Sequence, residues 1–178
     1  MRQDKIDHLL RAAADVSGQR RFVVVGAAAL LLRVHRYPAI LMMTTELDLF
    51  AADADDVDAA SDLIDGSLGQ ASQFHQTYGY YADGVSATTA ILPLDWETRA
   101  IEYSSPMTAG VVAIVPDPND LALAKLCAWR EKDIQWLRAG VKARIFSFNA
   151  MAARVTSMPP RAPDESTLRD RLSRLKTA

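Results

Sequence analysis

The stretch "RFVVVGAAALLL" restricts the fold more than any other part of this chain. Its first half is a β-branched run of the kind that forms a fully buried strand, and its second half consists of strong helix formers. Gly26 stands between the two halves. As one apolar run it falls short of the ~18 residues a membrane span needs. It is therefore expected to fold as a buried strand that turns directly into a helix, and "TTELDLF" follows as a second strand after a loop marked by Pro38.

That second strand carries Glu46 and Asp48. Residues i and i+2 of a strand point to the same side, so both carboxylates share one face while Leu47 and Leu49 take the other. Two like charges at that spacing repel, and burying them unpaired is costly. A hard divalent cation relieves both penalties, since Mg²⁺ is commonly held by one or two carboxylates plus phosphate oxygens. Spacing alone is equally satisfied by a solvated strand face, which is the commoner origin of such patterns. The Gly26-Ala27 turn upstream admits a phosphate close to the backbone and offers helix N–H donors, although such turns also serve as plain strand–helix junctions.

Around these strands the pattern is mixed. Ile6, Leu9, Leu10, Ala13 and Val16 recur at helical spacing, predicting a helix over 4–17. "DADDVDAASDLIDG" reads as a surface helix with an acidic start, stopped by Gly66. "FHQTYGYYA" and "SATTAIL" read as a β-hairpin around an Asp-Gly turn, and "GVVAIV" as a further strand. "PDPNDLALAKLCAWREKDIQWLRAG" reads as one long helix. Asp117 is its N-cap, Pro118 sits at N1, Asp120 reaches back as in a capping box, and Gly140 stops it. Two more helices are expected over 141–156 and 164–176, with "SMPPRAP" as linker. This order gives an α/β (α+β) sheet flanked by helices, organised as an α/β unit over 1–140 and a helical C-terminal extension over 141–178.

Composition narrows the functional classes. A formal net charge of -2 makes no bulk case for binding nucleic acid or anionic membrane, and leaves room for a local basic patch. The single cysteine, Cys127, excludes an intrachain disulfide and finger-type metal sites. His8, His35 and His75 are scattered, and no serine-elbow, zinc-protease or Walker-type motif occurs. The N-terminal segment is an amphipathic helix pattern with no signal-peptide core, so a cytoplasmic, non-membrane protein is expected.

On the long helix, Lys125, Trp129, Lys132 and Trp136 follow a spacing that puts them on one side, with Asp133 close by. Leu123, Leu126, Cys127, Ile134 and Leu137 form the opposite, core-facing stripe. A Lys and Trp face can offer charge to phosphate and a ring to a base, or can be a solvated face with partly covered rings.

Taken together, "VVVGAAALLL…TTELDLF", "YYADGVSATTAILPLDWETR" and "NDLALAKLCAWREKDIQWL" resemble the polymerase-β-like nucleotidyltransferase superfamily. The last segment is similar to its bacterial AbiEii-type branch and uncharacterised relatives. The resemblance spans roughly residues 20–140. It implies a mixed sheet flanked by helices and transfer of a nucleoside monophosphate from an NTP to a hydroxyl of RNA or protein. One or two Mg²⁺ ions would be held by Glu46, Asp48 and a third acid, for which Asp83 is the first candidate and Asp95 the second. As a residue of the "DGV" turn, Asp83 has an equally simple local explanation. By the same resemblance Asp48, Asp83 and Lys125 carry the chemistry. Gly26, Ala27, Thr45, Lys125, Arg130 and Asp133 surround the nucleotide, and Arg130 has Glu131 or Asp133 as alternative partners. Some members of the branch are toxins of toxin–antitoxin systems that modify tRNA or a protein, which implies a cognate partner protein.

Three positions depart from the superfamily pattern. Ala27 replaces the usual Gly or Ser of the turn, Met42 stands where relatives carry Arg, and Glu46 stands where Asp is usual. These departures admit a second reading, a catalytically impaired binding or regulatory module. A third reading is self-association through the apolar C-terminal helices.

Overall fold

The computed structural model describes residues 1–176. Five strands form one mixed sheet in the order β3-β2-β1-β5-β4. The strands are β1 (Arg21–Val25), β2 (Glu46–Ala51), β3 (Tyr81–Gly84), β4 (Ile101–Tyr103) and β5 (Val112–Val115). β1 lies at the centre, antiparallel to β2 and parallel to β5, while β3 runs parallel to β2 and β4 antiparallel to β5.

One sheet face is wholly apolar. α1 (Gln3–Ser17) and α3 (Val57–Leu68) cover it, packing Ile6, Leu9, Leu10 and Ile64 against Phe22, Val24, Leu47 and Leu49. The strict alternation along β2 follows from this. Its odd-numbered residues, Leu47, Leu49 and Ala51, are buried here, so Glu46, Asp48 and Phe50 face the other way. On that second face Val23, Val25 and Leu92 form a smaller apolar cluster with Phe50, Trp96 and Ala124.

β1 leads straight into α2 (Gly26–Ala29), which continues as a 3₁₀ turn over Leu30–Leu32. The strand–glycine–helix–strand order is therefore as expected. The long helix is not continuous. It divides into α5 (Pro118–Ala128) and α6 (Glu131–Lys142) at Trp129, whose backbone is left-handed at φ 51° and ψ 32°. Arg171 holds the break, donating to the carbonyl oxygens of Leu126 and Cys127 at 2.8 Å each and lying over the Trp129 ring. These are the α5 carbonyls that lose their helical partners where the chain turns. α7 (Phe148–Arg154) and α8 (Glu165–Lys176) complete a second core with α5 and α6, built on Leu123, Leu126, Leu137, Met151, Leu168 and Leu172.

Other expectations are corrected. Residues 73–78 form helix α4 (Gln73–Tyr78), and β3 pairs in parallel with β2, so there is no Asp-Gly hairpin. The aromatic run is helical because Phe74, Tyr78 and Tyr80 gather around His8 of α1. Gly84 serves close packing, since a Cβ there would lie 1.9 Å from the Ser61 carbonyl oxygen of α3. α3 runs through Gly66 to Leu68, and α6 through Gly140 to Lys142; a Cβ on Gly140 would strike the Phe146 ring. Asp117 does cap α5, but Asp120 closes no capping box. It is fully buried and bridges to Arg99 at 3.0 Å and Arg154 at 2.9 Å. Of the stretch expected as one helix over 141–156, the first two residues end α6, and α7 covers only Phe148–Arg154 before a 3₁₀ turn at Val155–Ser157.

Candidate functional site

The second sheet face opens into a cleft where β2, the β1–α2 turn and the α5–α6 break meet. Two hollows make up the cleft. One, about 270 Å³, is lined by Gly26, Asp48, Thr89 and Arg130; the other, about 340 Å³, by Ala27, Met43, Thr44 and Trp136. Glu46, Lys125 and Lys132 line both, so the hollows are continuous.

Asp48 sits against the β1–α2 turn. Gly26 has φ 70°, and a Cβ on it would lie 2.0 Å from an Asp48 carboxylate oxygen. Only glycine satisfies both the backbone angle and the close approach. Burial pushes the Asp48 carboxyl up to about 6, Glu46 adds to the rise, and the Lys125 ammonium offsets part of it. Glu46 accepts the Tyr81 hydroxyl at 3.1 Å, and burial beside this carboxylate pushes the Tyr81 phenol up to about 12. Neither Glu46 nor Asp48 makes a salt bridge among the described residues.

The cations of the cleft are held by another acid. Asp133 is buried at 2 % exposure, and its carboxylate bridges to Lys125 Nζ at 3.5 Å and to Arg130 Nε at 2.7 Å. The cap of α6 depends on the same group, because the Arg130 backbone N–H donates to it at 3.2 Å. Despite its own burial, these partners keep the Asp133 carboxyl below the usual range. Asp133 is thus a positioning group, holding a lysine and an arginine in the same cleft as the two unbridged carboxylates.

Asp83 registers with Asp48 across the β2–β3 pairing. Burial and the carboxylates of Asp65 and Glu46 push it up, while the Gln70 backbone N–H and His75 pull it partly back. Among the described residues no group of three or more His, Cys, Asp or Glu side chains is placed to hold a metal ion. The donors the cleft does present, Glu46 and Asp48, suit a hard cation whose remaining ligands are phosphate oxygens and water, and not a cage made of protein alone. Asp95 lies elsewhere, paired to Arg99 at 2.6 Å.

Other expected residues are placed differently. Thr45 is exposed and its carbonyl accepts the Tyr81 N–H, whereas Thr44 lines the cleft. Trp129 packs under Arg171 in the helical core. Trp136 stacks on Phe146 with 6 % exposure, and its indole N–H has no acceptor among the described residues. Met42 packs against the main core, leaving no cation at that position. Tyr81 was not among the residues expected here. The signal for it was its place opposite Glu46, which is visible only once β3 is known to pair in parallel.

No helix among the described residues is long and apolar enough to cross a membrane. Neither the curated proteins nor the solved structures contain a match to this chain. A family described as nucleotidyltransferases of unknown function, DUF6036, matches residues 4–171. With nearly the whole chain matched and the acid-bearing strand beside a glycine turn, the protein belongs to this nucleotidyltransferase family.

Proposed function

We propose that the chain transfers a nucleoside monophosphate from an NTP to a hydroxyl acceptor, with Mg²⁺ at Glu46 and Asp48. The observation that carries this reading is a pair of half-buried, unbridged carboxylates in one continuous cleft with Lys125, which Asp133 holds. Bound Mg²⁺ would supply charge neutralisation and an in-line geometry for displacement at the α-phosphate. Lys125, Lys132 and Arg130 bind the triphosphate, and the backbone at Gly26 and Ala27 approaches it closely. The hollow beside Ile40, Met43 and Trp136 takes the base. Asp48, whose carboxyl is pushed up to about 6, is mostly ionised at neutral pH and would offer its charge to the cation. The acceptor hydroxyl, of RNA or protein, forms a bond to the α-phosphorus as the bond to pyrophosphate breaks, and its proton passes to solvent water. Kinship with the AbiEii branch, and a toxin role with a cognate partner, extend this reading on the strength of the α5–α6 sequence.

A second reading has one observation in its favour, that Asp83 stays outside any three-carboxylate group. On that reading the cleft binds a metal–nucleotide without turnover. Incubation with α-labelled NTPs, Mg²⁺ and bulk RNA or protein separates the two. Label in the macromolecule, with stoichiometric pyrophosphate and loss of both in Asp48→Asn, supports transfer. Nucleotide binding with no label in either macromolecule overturns transfer and leaves the module.

A further inference from the structure

Charge is distributed very unevenly along this chain. Residues 138–176 carry nine Lys and Arg against three Asp and Glu, while the 137 residues before them carry eleven against nineteen. The near-neutral total therefore hides a basic helical module on an acidic sheet domain. Such an asymmetry is a footprint of polyanion binding when the cations gather on one surface.

Here they gather in a groove. A hollow of about 620 Å³ between α6, α7 and α8 is lined by Arg138, Lys142, Phe148, Leu175 and Lys176. A smaller one adjoins it, sharing Phe148 and Lys176 and adding Asn149, Arg169 and Ser173. No carboxylate among the described residues lines either hollow. Arg169 is bridged to Glu165, but Arg138, Lys142 and Lys176 have no carboxylate partner among the described residues. The Lys176 ammonium lies over the Phe148 ring, 5.4 Å from its centre, so charge and an aromatic surface share one spot of the groove. Of the other cations of this module, Arg174 bridges to Asp170, Arg154 to Asp117 and Asp120, and Arg171 holds the α5–α6 break, while the exposed Arg144 and Arg161 lie outside the lining of both hollows.

We propose that this groove docks a single-stranded nucleic acid, phosphates on Arg138, Lys142 and Lys176 and a base at Phe148. Cations along a groove with an aromatic ring between them suit a strand whose bases are unstacked, and a duplex offers no such base. The groove and the candidate cleft share helix α6. Gln135 lines that cleft, and Arg138 and Lys142 follow it at i+3 and i+7 on the same side of α6. The separation along the helix is roughly 10 Å. The docking stands without the transfer reading; where both hold, the docked strand is the acceptor, and that identification alone rests on the transfer reading.

The test is fluorescence anisotropy of a labelled single-stranded RNA, a duplex of the same sequence and a phosphatidylserine vesicle, each titrated with the full chain over a salt series. The proposal expects saturable binding of the single strand with a log–log salt slope of about -2, for three phosphate contacts. The triple variant Arg138→Gln, Lys142→Gln, Lys176→Gln is expected to lose at least ~10-fold in affinity with an unchanged melting temperature. If the triple variant does not fold, Lys142→Gln alone should shallow the slope by about 0.7. Phe148→Leu should weaken binding and leave the slope unchanged, which a purely ionic surface would not show. Several outcomes overturn the proposal: no single-strand binding at low salt, equal binding by the neutralised variants, or equal binding of duplex or vesicle with Phe148→Leu neutral. Self-association that the triple variant abolishes, without RNA binding, would assign the face to a second copy instead. Asp48→Asn should keep RNA affinity, so failure of transfer and failure of docking are read separately.

Discussion

Replacing Asp48 by Asn should make the metal-free protein more stable at neutral pH. The reasoning starts from the position of the side chain, pressed against the Gly26 turn beside Glu46 with no bridging cation. Its carboxyl rises from 3.8 to about 6, mainly through burial. A folded-state value above the unfolded one means the folded protein holds a proton that the unfolded chain has released. Stability therefore falls as pH rises through the window from about 4 to 6, and is regained on acidification. The size of the shift corresponds to about 3 kcal/mol at neutral pH. Asn carries no charge at any pH and mimics the protonated acid in shape, so the variant lacks this term. In a domain of this size the gain translates to roughly 6–12 °C in melting temperature. Urea denaturation of both proteins in chelator at about pH 7.5 and pH 4 reads the difference. The expected result is a variant more stable at the higher pH and equal to the wild type at the lower. Shifts at groups not coupled to Asp48 cancel in the comparison. A wild-type-to-variant difference that does not change with pH would refute the electrostatic reasoning, as would a variant that is less stable at neutral pH.

Gly26→Ala combines a left-handed backbone with a Cβ 2.0 Å from the Asp48 carboxylate. It should cost about 1–3 kcal/mol in denaturant unfolding, and less in an Asp48→Ala background, where only the backbone strain remains. Asp120→Asn removes the charge that pairs Arg99 and Arg154 in the interior. It is expected to destabilise by about 3–5 kcal/mol, measured by calorimetry, with little change in nucleotide KM relative to the loss of folded protein. Arg171→Ala frees the Leu126 and Cys127 carbonyls and uncovers Trp129. It should cost roughly 1–3 kcal/mol and raise nucleotide KM, because the α5–α6 break it holds sets Lys125 against Asp133.

Much of the sheet was legible because period-2 alternation and short β-branched runs are local signals. β1, β2 and β5 carry them, and the alternation of β2 placed Glu46 and Asp48 on one face before any packing was known. The Gly26 turn was legible for the same reason. The aromatic run from Phe74 to Tyr80 misled because its β-forming composition is overridden by packing around His8, a partner about seventy residues away in sequence. The break at Trp129 carried no glycine or proline to announce it; Arg171, far along the chain, supplies the capping that makes it tolerable. Asp120 had the sequence position of a helix cap, and only the approach of Arg99 and Arg154 turned it inward. Lys125 and Lys132 nonetheless meet in one cleft, because the break re-aims α6 and leaves both on the same wall. The basic groove was hidden by a net charge that averages two unlike modules.

The central claim is that the Glu46–Asp48 pair and Lys125 act together as one metal–triphosphate site. Thermal denaturation with each of the four NTPs, in Mg²⁺ and in chelator, tests it most directly. At a nucleotide concentration ~100-fold above Kd, stabilisation of roughly 2.7 kcal/mol is expected in Mg²⁺, with most of it lost in chelator and in Asp48→Asn. Stabilisation by nucleotide that is the same with and without the cation, or undiminished in Asp48→Asn, would contradict it.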